Sequence, residues 1–253
     1  VTLRVVVVAE DRMGLALARD LCDRVVSERA RATWIKDQWE DPNLREQCRS
    51  WGGFGRAESF TSWSGLKAEA SKLRAVAHGL GLKGPAAEAY KAARVAQLQS
   101  PERKPDLLVL ARDSQGDVDA RAEMVRGGLR ANPGVPMLHA IAHQESEAWA
   151  VAGFEARDGR ERSMLTLERT RLGFDPSLAP HALTPNNPSD PRDAKRVCKS
   201  LGLGDHHDPR TIACWAETPL PVLRRNGEGA GLGAYLDEVE AVVLPLLGDV
   251  PPR

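Results

Sequence analysis

Apolar runs that stop at acidic residues and turn into helical patterns constrain this chain more than any other feature. Residues 3–9 read LRVVVVA, a β-branched run suited to a strand buried on both faces of a parallel sheet. Glu10-Asp11 ends the run, and Met13, Leu15, Leu17, Leu21, Val25 and Val26 then predict an amphipathic helix to about Arg29. A strand feeding a helix in this way is the first half of a βαβ unit. The pattern returns at residues 106–111, DLLVLA, which close on the turn Arg112-Asp113-Ser114-Gln115-Gly116-Asp117. A helix is expected at about 118–131, stopped by Asn132-Pro133-Gly134. A third strand, VPMLHAIA at 135–142, leads into His143-Gln144-Glu145-Ser146-Glu147-Ala148-Trp149 and another helix. All three strands deliver acids at their carboxyl ends, where open parallel sheets place ligands. The expected fold class is α/β with a mainly parallel central sheet.

The intervening segments are of other kinds. Residues 31–65 hold four of the six tryptophans, Trp34, Trp39, Trp51 and Trp63. A short strand near Ala32–Ile35 is expected there, followed by an irregular excursion packed by its aromatics. Helices are expected over 65–80 and 85–99, separated by GLGLKGP. From about residue 155 the chain reads as helices and loops, with a Pro/Asn-rich loop at 180–191, a helix over 191–202 and a last amphipathic helix over about 232–247. The expected organisation is a core at 1–154 interrupted by the segment at about 31–100, with 155–253 as a helical extension or cap packed on it. The 253 residues suffice to bury a core.

Composition removes some function classes. Basic and acidic side chains balance at 35 each, so no global positive charge argues for nucleic acid, although a local basic groove stays open. No apolar run reaches the ~20 residues of a membrane helix, and no signal-peptide pattern is seen. Cys22, Cys48, Cys198 and Cys214 form no CxxC pair, so a reduced, cytoplasmic protein is expected. WGGFG and NGEGAGLG lack the Gly-Lys-Ser/Thr of a phosphate-binding loop. His139 and His143 on one strand would stand ~13 Å apart, too far to share an ion. His139 is expected to pack, while His143 at the strand end faces the acids. His206-His207-Asp208 reads as a solvated loop or helix start. The tryptophans suit base stacking, but packing is the expectation for most of them.

The acids Glu10, Asp113, Asp117, Glu145 and Glu147 carry the chemistry. Carboxylate clusters suit hard cations such as Mg²⁺. Each has a structural alternative: Glu10 as a helix-start acid, Asp113 and Asp117 as turn and capping residues. Glu145 and Glu147, at i and i+2, do not share a helix face, so one is expected to cap while the other reaches a metal. Repetition at three strand ends, rather than any single residue, favours a metal site.

These residues also carry a resemblance. A strand ending in Glu, then a strand ending in an Asp-rich turn, resembles the Toprim domain of topoisomerases, primases and nucleases of the overcoming-lysogenization-defect type. More closely, LLVLARDSQGDVDA followed by HAIAHQESEAWAVAG, with the later PSDPRDAKRVCKSL, resembles a Toprim-like bacterial family related to those nucleases. The resemblance implies a Toprim-like Rossmannoid fold and Mg²⁺- or Mn²⁺-dependent phosphodiester chemistry on DNA or RNA, often beside an ATPase partner in phage defence. It implies Glu10 as base or ligand, Asp113 and Asp117 as ligands, Glu145 and Glu147 as ligands or orienting groups, and Arg112 as a phosphate contact. The chain departs from the pattern where Asp-x-Asp is expected, since Gln115 takes the second position and the next acid is Asp117. That departure supports a second expectation, a catalytically weak binding subunit. A third is a metal-dependent hydrolase of small nucleotides.

Overall fold

The computed structural model describes residues 2–55, 57–75 and 80–249. In chain order the elements are β1 (Leu3–Ala9), α1 (Arg12–Arg29), α2 (Thr33–Glu40), α3 (Pro42–Cys48), β2 (Arg49–Gly52), β3 (Thr61–Ser62), α4 (Trp63–Lys72) and α5 (Gly84–Leu98). There follow β4 (Leu107–Asp113), α6 (Ala120–Ala131), β5 (Met137–Ala142), α7 (Ser146–Ala152), α8 (Gly159–Leu172), α9 (Ala194–Ser200), α10 (Pro209–Ala216), α11 (Leu220–Asn226) and α12 (Leu232–Leu246).

The fold is α/β, with a five-stranded sheet in the order β2-β1-β4-β5 and β3 beside the end of β1. All of these pairings are parallel. From β1 the chain moves outward to β2 and β3, then crosses back to place β4 and β5 on the other side. The reversal makes the carboxyl ends of β1 and β4 the topological switch point, the usual ligand crevice of such sheets.

Strand alternation divides the core into two layers. Val5, Val7, Ala9, Leu107, Val109, Ala111, Leu138 and Ala140 face one way, against Leu17, Leu21 and Val25 of α1 and Tyr235, Leu236 and Val239 of α12. Val6, Val8, Leu108, Leu110 and Ile141 face the other way, against Leu66 of α4, the alanines of α5 and Met124 of α6. The segment after 155 therefore supplies part of the sheet's own cover. Trp149 of α7 stacks on Tyr235 with centroids 5.5 Å apart, and the Tyr235 hydroxyl donates to the Ala18 carbonyl at 2.6 Å. These contacts bind α7, α12 and α1 into one layer.

β5 is an edge strand, and its outer backbone is covered by side chains. The His139 N–H donates to Glu238 Oε2 at 2.7 Å, and Arg121 donates to the His139 carbonyl. Covering an edge in this way blocks pairing with another strand.

Two expectations are corrected. Residues Ala32–Ile35 are not a strand: Thr33–Glu40 is helical, and Ile35 and Trp39, spaced i and i+4, are its buried pair. The 31–65 segment is also less irregular than expected, because α2, α3, β2 and β3 all lie within it. The helix expected at 65–80 ends by Lys72, where Arg74 turns left-handed; residues 76–79 lie outside the described residues. Trp39 is buried and Trp63 donates its indole N–H to the Ala111 carbonyl at 3.1 Å, as packing predicts, whereas Trp34 is 52% exposed. Asp208 caps α10 by accepting from the Thr211 N–H. Among the described residues, no helix is long and apolar enough to cross a membrane.

Candidate metal centre

Two turns converge at the switch point because their backbones are bonded together. After β4 the Ser114 N–H donates to the Ala142 carbonyl at 2.9 Å, and the Gln115 N–H donates to the Gln144 carbonyl at 3.1 Å. Both turns need left-handed residues, Gln115 at φ 52° and Gln144 at φ 72°. Non-glycine residues hold this conformation only where surrounding structure over-determines it, and such positions cluster at functional sites.

The juncture gathers Asp113, Glu145 and Glu147. One carboxylate oxygen from each lies within 4.8 Å of the others. Asp113 is the last residue of β4 and accepts from the Ser146 N–H, the first amide of α7, at 2.8 Å. Glu145 precedes α7 with extended backbone and makes no capping bond. For that reason the helix-face argument does not separate it from Glu147: one residue lies before the helix, the other in its first turn, and both reach the cluster. Glu145 is fully buried, and Oε2 of both glutamates is buried without a hydrogen-bond partner among the described residues. Buried acceptors are normally satisfied, so two unpartnered carboxylate oxygens in one cluster make a donor set that could hold a cation.

The electrostatics agree. Burial, followed by the charges of Glu147, Glu10 and Asp11, pushes the Asp113 carboxyl up to about 8. Burial also raises Glu147, outweighing the opposing effects of a backbone hydrogen bond and Lys195. Three carboxylates this close cannot all ionise without a compensating charge.

One compensating charge is Lys195, at the start of α9. Its Nζ donates to Glu145 Oε1 at 2.8 Å. Burial alone would lower the Lys195 pKa, but Glu145, Glu147 and Asp113 together raise it. The side chain as a whole stays 55% exposed. Sequence reasoning did not single out Lys195; its only signal was membership of PSDPRDAKRVCKSL. Asp11 was also missed, since it reads as the cap it is, accepting from the Gly14 N–H at 2.9 Å, yet its charge reaches Asp113 and Glu147.

The other expected site residues fall at different places. Glu10 is an exposed rim residue whose Oε2 stands 3.4 Å from the Asp113 N–H. Asp117 is not in the cluster: it is exposed and accepts from the Asp119 N–H, a turn role. Arg112 is also outside it. Adjacent strand residues face opposite ways, so Arg112 pairs with Glu88 on α5 and lies 5.8 Å above the Trp63 ring. Gln115, standing where a second Asp was expected, accepts from the Asn186 side chain. His143 neighbours the cluster through Ser114 Oγ at 3.2 Å. His139 packs on β5, buried as expected.

The donor set is oxygen only and fits a hard divalent cation such as Mg²⁺ or Mn²⁺ better than Zn²⁺, which favours nitrogen and sulfur. No family model matches the chain, and comparison with curated proteins and with solved structures finds no match.

Proposed function

We propose that this chain is a Toprim-like, divalent-metal-dependent hydrolase of phosphodiesters in DNA or RNA. The observation that carries the proposal is the group Asp113, Glu145 and Glu147, within 4.8 Å, with two buried oxygens unpartnered, at the switch point of a parallel sheet. These three residues would hold Mg²⁺ or Mn²⁺. When bound, such an ion polarises a phosphodiester and lowers the pKa of an attacking water. Glu10, exposed at the rim, is the carboxylate left free to accept a proton from that water. Lys195, whose side chain is 55% exposed, would meet a phosphate oxygen and offset the charge that builds on it. The Ser146 backbone N–H, by donating to Asp113 Oδ1, holds that carboxylate in the cluster.

The test is cleavage of supercoiled plasmid and of structured RNA with Mg²⁺ or Mn²⁺. The proposal expects metal-dependent products, lost at least about 100-fold in Glu10→Ala and in Asp113→Ala. Full activity in both folded variants contradicts it. Release of products only from small nucleotides would redirect the same chemistry to that substrate class.

A second reading is favoured by Lys195 and Gln115. One positive charge already stands in the cluster, and an amide takes the turn position where the Toprim pattern has Asp. On this reading the chain is a binding subunit, serving an ATPase partner in a defence system. It predicts calorimetry with no heat of Mg²⁺ or Mn²⁺ binding on a protein of native circular dichroism.

A further inference from the structure

We propose a second ligand site, separate from the acids, in the cavity at the outer edge of β5, for a small aromatic molecule carrying one hydroxyl or N–H donor. The cavity holds about 530 Å³, within the range of small-molecule sites. Its walls are largely apolar, formed by Val125 and Leu129 of α6, by Val135 and by Met137. Leu129 is 74% exposed, so this apolar rim lies open.

The polar groups lining it include His139 and Glu238. Glu238 Oε1 lies 2.8 Å from His139 Nδ1, and Oε2 accepts from the His139 backbone N–H at 2.7 Å and from Arg121 at 3.0 Å. An ionised carboxylate only accepts, so Nδ1 keeps the ring proton, and in the neutral imidazole Nε2 is then an acceptor. Nε2 is buried and has no partner among the described residues, in a residue only 5% exposed. It lies 3.9 Å from where a Cβ on Gly128 would stand, a point only 2.1 Å from Met137 Cε, so the Met137 tip closes the approach to it. The flexible tip of Met137 occupies the same space and is the wall most easily moved.

These features select the ligand. Apolar walls disfavour a charged molecule, a thioether suits the edge of an aromatic ring, and the orphaned acceptor demands a donor. A phenol-like molecule meets all three conditions, whereas toluene meets only the first two.

The experiment titrates the intact chain with phenol and with toluene, following the His139 Nε2 nitrogen and the Met137 methyl by NMR. Phenol is expected to shift both signals, with toluene binding about tenfold more weakly for want of one hydrogen bond. Val125→Phe adds bulk at the α6 wall while leaving His139 and Glu238 intact, and is expected to abolish the phenol shifts. The proposal is overturned if saturating phenol leaves His139 Nε2 unmoved, if toluene binds as tightly, or if Val125→Phe binds phenol unchanged.

Discussion

Asp113 holds a carboxyl among the acids Glu145, Glu147, Glu10 and Asp11, and the consequence is a measurable pH dependence. Its pKa is raised from 3.8 to about 8, so between those values the folded state binds a proton that the unfolded state has released. Stability contributed by this group is therefore complete below about pH 4 and falls as pH rises toward 8. Glu147, also raised, acts in the same direction. His143, lowered by burial and then by the neighbouring His181, acts in the opposite direction near neutral pH. Comparison with Asp113→Asn isolates the aspartate: without metal, the variant should gain stability over the parent by about 1 kcal/mol or more on going from pH 5 to pH 8. Urea denaturation at both pH values measures it, and an unchanged difference contradicts the raised pKa. Lys195→Ala should act in the opposite direction. It strands the fully buried Glu145, and a loss of roughly 1–3 kcal/mol is expected in metal-free protein at pH 8. Added Mn²⁺ should restore much of that loss.

At the scale of elements, the sequence showed most clearly what local pattern dictates. β1, β4 and β5 could be read from their apolar runs, and of the acids that follow them Asp113, Glu145 and Glu147 meet at the switch point, while Asp117 lies outside the cluster and Glu10 is on its rim. Arg112 was misplaced although its position was legible: it is one residue before Asp113 on a strand, so the two cannot share a face. The helix α2 was missed because Ala32–Ile35 was read alone, without Trp39 completing the helical spacing. Lys195 was not legible, since its proximity to Glu145 depends on how α9 packs on α7 fifty residues away in sequence. The α5–α6 contact illustrates another tertiary requirement that sequence hides. A Cβ on Gly127 would lie 2.0 Å from the Ala86 carbonyl oxygen, whereas one on Gly128 would be crowded by the flexible end of Met137 and not by backbone. Gly127→Ala should therefore destabilise by about 2 kcal/mol. Gly128→Ala should stay within about 1 kcal/mol of the parent, helix propensity offsetting the crowding. Equal thermal shifts for the two variants would contradict the packing described.

Across the whole molecule, one sheet organises both proposed sites at different places. The carboxyl ends of β1 and β4 and the turn after β5 hold the acids, while the outer edge of β5 carries His139 and its cavity. The helices after 155 serve both, α9 supplying Lys195 and α12 supplying Glu238. The central claim is that Asp113, Glu145 and Glu147 form a cation site, and calorimetric titration with Mn²⁺ on the intact chain tests it most directly. Saturable binding is expected in the parent protein, weakened at least about tenfold in Asp113→Asn and in Glu147→Gln with circular dichroism unchanged. Binding of undiminished affinity in both variants, or none in the parent at millimolar Mn²⁺, would contradict the claim.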